Sequence, residues 1–327
     1  MKKILIAVMC VLSVFEMSAQ QDPQFTQNMF NRLSVNPAYA GAKESFCATI
    51  ISREQWMGFE GNPTTNLLSV DYGKTILQKH KVGAGLTVIQ DEIGPIQSLN
   101  AKLALSYHKR IQQGVLSGGI ELGIYNQSIA GDWRTSEGAF DGTEDPKIPN
   151  SEAGATVFDL GVGLYYYRKN MYVGLSSTHM EQSVISDGLA DLSELTFKKA
   201  RHYYVMAGYN YETQLGGRKF EIMPSFFVKG DAVSTQVDLN TNVKYNDLVW
   251  TGLTYRIEDA ASLLAGLDFA GLNLGGQFDN IKVGVAYDYN ISDLSTYNNG
   301  SIEFMLNYCY KFVKNEKIER YKDVRFL

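Results

Sequence analysis

Hydrophobic and polar side chains alternate along the chain from Phe46 to Phe312. The clearest case is the segment from Ser301 to Phe312. One set of alternate positions there is Ile, Phe, Leu, Tyr, Tyr and Phe, and the other is Ser, Glu, Met, Asn, Cys and Lys. A period of two residues indicates β-strands rather than helices. Such a pair of faces suits a strand that lies between lipid and a polar interior.

About fourteen segments show this alternation over roughly 9–13 residues, the length that crosses a bilayer as a tilted strand. The sequence therefore predicts an all-β fold, a single transmembrane antiparallel β-barrel of about 14 strands, with 12 or 16 as the alternatives. The predicted strands are Phe46–Arg53, Thr64–Tyr72, Val82–Gln90, Gln97–Arg110, Val115–Ser128, Thr156–Arg168, Met171–Thr178, Arg201–Thr213, Lys219–Gly230, Gln236–Tyr245, Leu248–Glu258, Ser262–Leu274, Ile281–Asn290 and Ser301–Phe312.

The lengths of the connections agree with this count. In barrels of this class the turns on the periplasmic side are short and the loops on the outer side are longer. The two longest connections, Ile129–Ala155 and His179–Ala200, are both odd-numbered, whereas the even-numbered ones are short. This parity indicates fourteen strands with both termini in the periplasm.

The start of the chain has the features of an export signal. Lys2 and Lys3 precede an apolar run from Ile4 to Phe15, and small residues follow it up to Ala19. A run of about a dozen apolar residues is too short for a transmembrane helix and is typical of a signal peptide. We expect four parts: a signal peptide at 1–20, an N-terminal periplasmic or lumenal segment at 21–45, the outer-membrane barrel at 46–313 and a periplasmic tail at 314–327.

Composition supports a barrel and excludes some partners. The chain has 20 Tyr, 16 Phe and 30 Gly but only 7 Pro, which suits interfacial aromatic girdles, tight bends and intact strand ladders. A soluble β-sandwich also has short alternating strands, but it would leave the aromatic faces without a partner. The net charge of −5 gives no basic footprint for nucleic acid.

Cysteine and histidine positions suggest one cross-link and no metal site. After removal of the signal only Cys47 and Cys309 remain, near the start of the first strand and the end of the last. A closed barrel pairs these two strands, so a disulfide between them is one hypothesis for an oxidising compartment; the alternative is that the shear of the barrel separates the two cysteines beyond bonding distance. The four histidines are scattered along the sequence, so zinc is not indicated, and we expect no cofactor. Signature motifs of hydrolases and phosphate-binding loops are absent from the sequence, which predicts a protein without catalytic residues.

Two stretches differ from the strands in composition. The first, from Gln21 to Gly41, mixes aromatic side chains with Asn and Gln and has two X-Pro pairs. Amide side chains need hydrogen-bond partners, so this segment is expected to pack inside a polar lumen. The second, from Arg53 to Thr64, runs from the first strand into its outer loop.

These stretches resemble the signatures of the PorP/SprF family of the type IX secretion system of Bacteroidetes. The resemblance is carried by Asp22, Pro23, Gln24, Phe25, Asn36, Pro37, Ala38, Tyr39 and Gly41, and by Arg53, Gln55, Trp56, Gly58, Phe59, Gly61, Pro63 and Thr64. One departure is local: Arg32 follows Asn31 where the family often has Pro.

The resemblance implies a non-enzymatic outer-membrane component that assists secretion or surface attachment of a cognate large, adhesin-like cargo protein. Its implied partners are type IX translocon components, the exported surface protein and the lipid bilayer. The motif residues are then candidates for partner contact. For Trp56 and Arg53 the other interpretation is an interfacial girdle residue and an ion pair with a lumen carboxylate such as Glu303. Two other functions are open, a transport channel for small hydrophobic solutes and a barrel hydrolase.

Overall fold

The computed structural model describes residues 22–76, 80–129, 153–186, 196–231, 233–272, 275 and 278–312. It contains seventeen β-strands, which are β1 (Phe46–Glu54), β2 (Thr64–Ile76), β3 (His80–Ile93), β4 (Ile96–Ile111), β5 (Gly114–Ile129), β6 (Ala153–Arg168), β7 (Met171–Thr178), β8 (Val184–Ser186), β9 (Thr196–Lys198), β10 (His202–Tyr209), β11 (Tyr211–Leu215), β12 (Arg218–Gly230), β13 (Thr235–Tyr245), β14 (Val249–Arg256), β15 (Ala260–Asp268), β16 (Ile281–Asn290) and β17 (Ser301–Tyr310). The predicted signal peptide and the predicted tail at 314–327 lie outside the described residues.

Fifteen of these strands form one closed antiparallel barrel of fourteen wall strands, the number predicted. β10 and β11 together make a single wall strand that is interrupted at Asn210, since both pair with β12. The wall closes where β1 pairs with β17 in a register that runs from Phe46 opposite Tyr310 to Glu54 opposite Ile302. β8 and β9 form a separate two-stranded ribbon within the connection that follows β7.

The alternation in sequence becomes an inner and an outer face of the wall. In β14 the side chains of Trp250, Thr254 and Arg256 are buried, whereas those of Leu253 and Tyr255 between them are exposed. The outer face is a continuous apolar surface, which suits hydrocarbon, and the inner face is largely polar and charged.

The strand bounds differ from the predicted ones at a few places. The segment Ser262–Leu274 is a strand only to Asp268, after which a 3-10 turn covers Phe269–Leu272. The strand β4 extends one residue beyond its predicted end, to Ile111, and β2 extends four beyond, to Ile76. Apolar alternation locates a strand but not the residue at which ladder pairing ends, because the neighbouring strand decides that.

The barrel has two ends, which differ in their connections. We call the end at which β1 begins and β17 stops the near end, and the opposite one the far end. At the near end the connections at 112–113, 169–170, 216–217 and 246–248 have two or three residues. The connections at 55–63, 179–201 and 291–300, which are longer, lie at the far end. Within the described part of the chain, no helix has the length and apolar character needed to cross a membrane.

Cys47 and Cys309 lie opposite each other in the β1–β17 ladder, at the near end. Their Cα atoms are 4.1 Å apart, and the structure joins their sulfur atoms in a disulfide that links residues 262 positions apart in sequence. Because it bridges the first and last wall strands, this bond holds the seam of the barrel.

We predict that the exported protein carries this disulfide. The two thiols should resist alkylation in the unfolded protein until a reductant is added, and Cys47→Ser should lower the free energy of unfolding by about 2–4 kcal/mol. Alkylation with a mass tag, read on a denaturing gel, measures the reactivity of the thiols. Unfolding in detergent measures the loss of unfolding free energy in the variant. Full labelling without reductant would rule the bond out.

Candidate functional site

The lumen of the barrel is occupied by the N-terminal segment, Asp22–Ser45. This segment leaves β1 at the near end, runs along the interior and reaches the far end at Asp22, where it contacts residues around the ends of β7, β10 and β12. It contains a short α-helix, α1 (Arg32–Val35), between 3-10 turns at Asn28–Phe30 and Pro37–Tyr39. The first described residue, Asp22, and the last, Phe312, therefore lie at opposite ends of the barrel.

The near half of the segment lies directly against the backbone of the wall. The side chain of Asn36 caps the turn Pro37–Tyr39 by accepting a hydrogen bond from the Ala38 amide, and it donates to the carbonyl of Leu164 in β6. The hydroxyls of Ser106 and Ser117 donate to the carbonyls of Ala40 and Ala38, each at 2.7 Å. Polar inner-face side chains thus satisfy the peptide groups of an irregular segment that has no sheet partner.

Glycines in the wall allow the N-terminal segment to lie this close to the backbone of the strands. A Cβ on Gly119 of β5 would lie 2.4 Å from the amide nitrogen of Ala38, and one on Gly83 would lie 2.0 Å from the carbonyl oxygen of Ala40. Both distances are shorter than van der Waals contact, so any larger residue would push the segment off the wall.

A buried ion-pair network holds the middle of the segment. The guanidinium of Arg53 in β1 lies 2.7 Å from Asp288 and 3.2 Å from Glu303, and all three side chains are at most 2% exposed. Glu303 accepts hydrogen bonds from the backbone amides of Thr26 and Gln27 at 2.8 and 2.9 Å.

The same network extends to a second arginine. The Thr26 hydroxyl donates to Asp288, and Arg53 donates to that hydroxyl at 3.0 Å. Arg256 lies 3.2 Å from Asp238 and 3.5 Å from Asp288. The barrel seam and the segment therefore share one set of charges, so that each arginine neutralises carboxylates that also hold the segment.

Asp22 is held at the far end by cationic groups. Its carboxylate lies 2.9 Å from the Nε2 atom of His179 and 2.9 Å from the ammonium of Lys199, and it accepts a hydrogen bond of 2.6 Å from the Tyr204 hydroxyl. Burial would raise the pKa of Asp22, but His179, Lys199 and His202 together hold it well below its ordinary value. Burial likewise would lower the pKa of His179, yet Asp22 and Asp159 raise it.

The second motif stretch forms the rim of the far end. Trp56 and Gly58 adopt left-handed backbone conformations, and Met57 exchanges two backbone hydrogen bonds of 2.8 Å with the connection between β16 and β17. The Phe59 side chain is 55% exposed on this rim. Gln55 and Trp56 line a cavity of about 270 Å³ together with Gln24, so the two motif stretches meet at one place.

The structure thus distributes the candidate residues over three regions. The far half of the lumen contains Asp22, Pro23, Gln24 and Phe25, and the near half contains Asn36, Pro37, Ala38, Tyr39 and Gly41. The side chain of Arg53 points into the lumen. The rim contains Gln55, Trp56, Gly58 and Phe59. Arg53 pairs with Glu303, the ion pair considered for it from the sequence. Partner contact by the rim residues stays a prediction.

Several residues that hold the segment were missed in the sequence. They are Asp288, Arg256, Asp238, Lys102, Glu121, His179 and His202, all of them buried on the inner face or at its far end. A charged residue at an inward position of a predicted strand is the signal that could have found the first five. His179 and His202 carried no such signal, because their proximity follows from the pairing of β7 with β10.

Comparison with known proteins identifies the family. The family model described as type IX secretion system membrane protein PorP/SprF matches residues 17–308. No curated protein matches the chain.

Solved structures of similar fold include other outer-membrane barrels. The translocator domain of the autotransporter NalP from Neisseria meningitidis is 14% identical, with 82% of this chain and 87% of that one covered and a TM-score of 0.43. The β-domain of the Bordetella autotransporter BrkA is 13% identical, with coverages of 82% and 99% and a TM-score of 0.40. CdiB from Acinetobacter baumannii is 7% identical, with a TM-score of 0.36. The match covers 81% of the present chain, which spans only 60% of the length of the CdiB chain.

The glycine contacts predict that alanine substitutions at two adjacent positions differ in their effect on stability and on protease resistance. Gly119→Ala should destabilise the protein by about 1–3 kcal/mol through overpacking and make the N-terminal segment accessible to protease, because its Cβ meets Ala38. Gly118→Ala is the matched control, since its Cβ would lie 3.8 Å from Leu164. Equal protease resistance and equal unfolding midpoints of the two variants would show that the segment does not pack on β5.

The ion-pair network predicts a large cost for loss of Arg53. Arg53→Met leaves Glu303 and Asp288 buried without their main partner, which should cost about 3–5 kcal/mol of unfolding free energy. In Lys219→Met the partner Asp247 is 40% exposed, so the expected loss is about 0–1 kcal/mol. Urea unfolding in detergent compares the two, and losses of similar size would contradict the role given to Arg53.

Proposed function

Because this chain belongs to the PorP/SprF family of type IX secretion system membrane proteins, we propose that it assists secretion or surface attachment of one large, adhesin-like exported protein. It acts as a non-enzymatic accessory barrel, integral to the bacterial outer membrane. Its near end faces the periplasm, where short connections are typical, and its far end faces the outside.

The occupied lumen is the observation that favours this function over solute transport. The N-terminal segment is held from Asp22 to Gly41 by ion pairs and hydrogen bonds to the wall, which leaves separate cavities of about 190 to 270 Å³ in and beside the lumen. Buried charges on Arg53, Arg256 and Lys102 line the interior, and desolvated charges do not suit the passage of small hydrophobic solutes.

The rim supplies a surface for the partners. Trp56 and the exposed Phe59 lie in a connection that backbone hydrogen bonds tie to its neighbour, so the aromatic groups are presented on an ordered loop. Aromatic residues in such positions commonly anchor protein–protein contacts. The partners proposed are translocon components and the cognate cargo, with lipid around the wall.

Affinity purification of the tagged protein from its own envelope tests the proposal. We expect translocon components and one large exported protein to be recovered, as identified by mass spectrometry. Phe59→Ala should reduce recovery of the cargo, whereas Leu215→Ala, an exposed side chain at the near end, should leave it unchanged.

Recovery of the barrel alone, under conditions that preserve a known translocon complex, would contradict the accessory role and favour the transport channel. Equal cargo recovery with both variants would remove Phe59 from the contact but leave the accessory role.

A further inference from the structure

Three side chains that are far apart in sequence meet at the far end of the lumen. Asp22, His179 and His202 each offer a ligand atom, and these atoms all lie within 4.8 Å of one another. The Nε2 atom of His179 is 2.9 and 3.0 Å from the two carboxylate oxygens of Asp22, and the two imidazole rings are nearly perpendicular, at 81°. One carboxylate and two imidazoles are a common ligand set for zinc and related divalent ions.

The Nδ1 atom of each imidazole lies near an oxygen atom of another residue. The Nδ1 atom of His179 lies 3.0 Å from the carboxylate of Asp159, and Nδ1 of His202 lies 3.0 Å from the carbonyl oxygen of Ala200. The Nε2 atom of His202 accepts a hydrogen bond from the Asp22 backbone amide at 3.3 Å, and its Nδ1 atom lies 3.8 Å from the Asp22 carboxylate, so a metal bound at Nε2 replaces this hydrogen bond. Metal-bound histidines typically donate their second ring N–H to a carboxylate or a backbone carbonyl, which fixes the tautomer and the ring orientation.

Asp159 gives independent support. Its side chain is 4% exposed, and neither oxygen makes a hydrogen bond of good geometry, although His179 is at ion-pair distance. A buried carboxylate that makes so few hydrogen bonds and ion pairs costs folding free energy unless more positive charge lies near it. A divalent ion on the other side of the His179 ring would supply that charge.

The surroundings leave room for a water ligand on the side of Asp22. A cavity of about 190 Å³ adjoins Asp22 and is lined by Tyr125, Gln127, Lys199 and Tyr204. Lys199 lies 2.9 Å from the Oδ1 atom of Asp22 and the Tyr204 hydroxyl donates to Oδ2 at 2.6 Å, so each carboxylate oxygen has one such partner and a second lone pair for a metal. Zinc bonds of about 2.0–2.1 Å require a modest contraction of the cluster and displace the proton from Nε2 of His179 to solvent.

We propose that Asp22, His179 and His202 bind a divalent transition-metal ion of the zinc class, with Asp159 as the residue that positions His179. Because Asp22 belongs to the N-terminal segment and the histidines flank the connection between β7 and β10, the ion fastens this segment to the far end of the barrel. This site is independent of the secretion role.

The full exported protein, with any polyhistidine tag removed, tests the proposal in detergent. After treatment with a chelator and dialysis, calorimetric titration with Zn²⁺ should show one site per chain, and Co²⁺ should give the absorption spectrum of a tetrahedral site. His179→Gln and His202→Gln should each abolish this site. Asp159→Asn keeps all three ligands and should weaken zinc affinity by about 10–100-fold.

His108→Gln is the matched control. His108 is also buried in the lumen and contacts the N-terminal segment at the Ala40 carbonyl, but it lies outside the cluster. It should bind zinc as the parent protein does. Absence of stoichiometric binding in the folded parent protein, or equal binding by all four variants, would overturn the proposal and leave the cluster as an ion-pair contact only. Gel mobility of unheated samples shows whether each variant is folded.

Discussion

The pairing of β1 with β17 is the constraint on which the rest of the structure depends. In a bilayer an unpaired strand edge has no water to satisfy it, so a sheet of this length has to close on itself. Closure encloses a space whose inner face is polar in every strand, and that space has to be filled by groups that satisfy it. The N-terminal segment supplies these groups. Arg53 lies in the β1–β17 ladder, and its ion pairs with Asp288 and Glu303 connect the seam of the barrel to the residues that hold the segment.

The interior is held by charge as well as by apolar packing, since Phe25 of the segment lies in a buried cluster with inward side chains such as Leu264 and Trp250. Arg53, Asp288, Glu303 and Arg256 are almost completely buried, yet they are neutralised within one network that also binds the peptide groups of Thr26 and Gln27. Paired buried charges contribute little net stability, but removing one partner is costly. The network therefore gives the segment a single position in the lumen rather than a large gain in free energy, which suits a filled barrel better than an open pore.

The segment reaches through the barrel, and this changes how its two motif stretches are understood. In sequence Gln24 is separated from Gln55 by the turns and helix of residues 28–39 and by β1, but in space it lies beside Gln55 and Trp56 at the far-end rim. A partner bound to this rim would contact the wall loop and the start of the segment together. In the proposed secretion role, partner binding and the position of the segment would thus be coupled through one surface.

The sequence by itself determined the all-β barrel, the number of wall strands and the family, because alternation, segment length and linear motifs are local properties of the chain. It also located Cys47 and Cys309 on neighbouring strands, since closure makes the first and last strands partners whatever the details. Only the tertiary structure decided three other features: the bounds of β15, the position of Asp22 at the far end, and the proximity of His179 to His202 and Asp22. These features depend on register and on contacts between residues as much as 207 positions apart, such as Asp22 with Lys229, and no local pattern encodes such contacts.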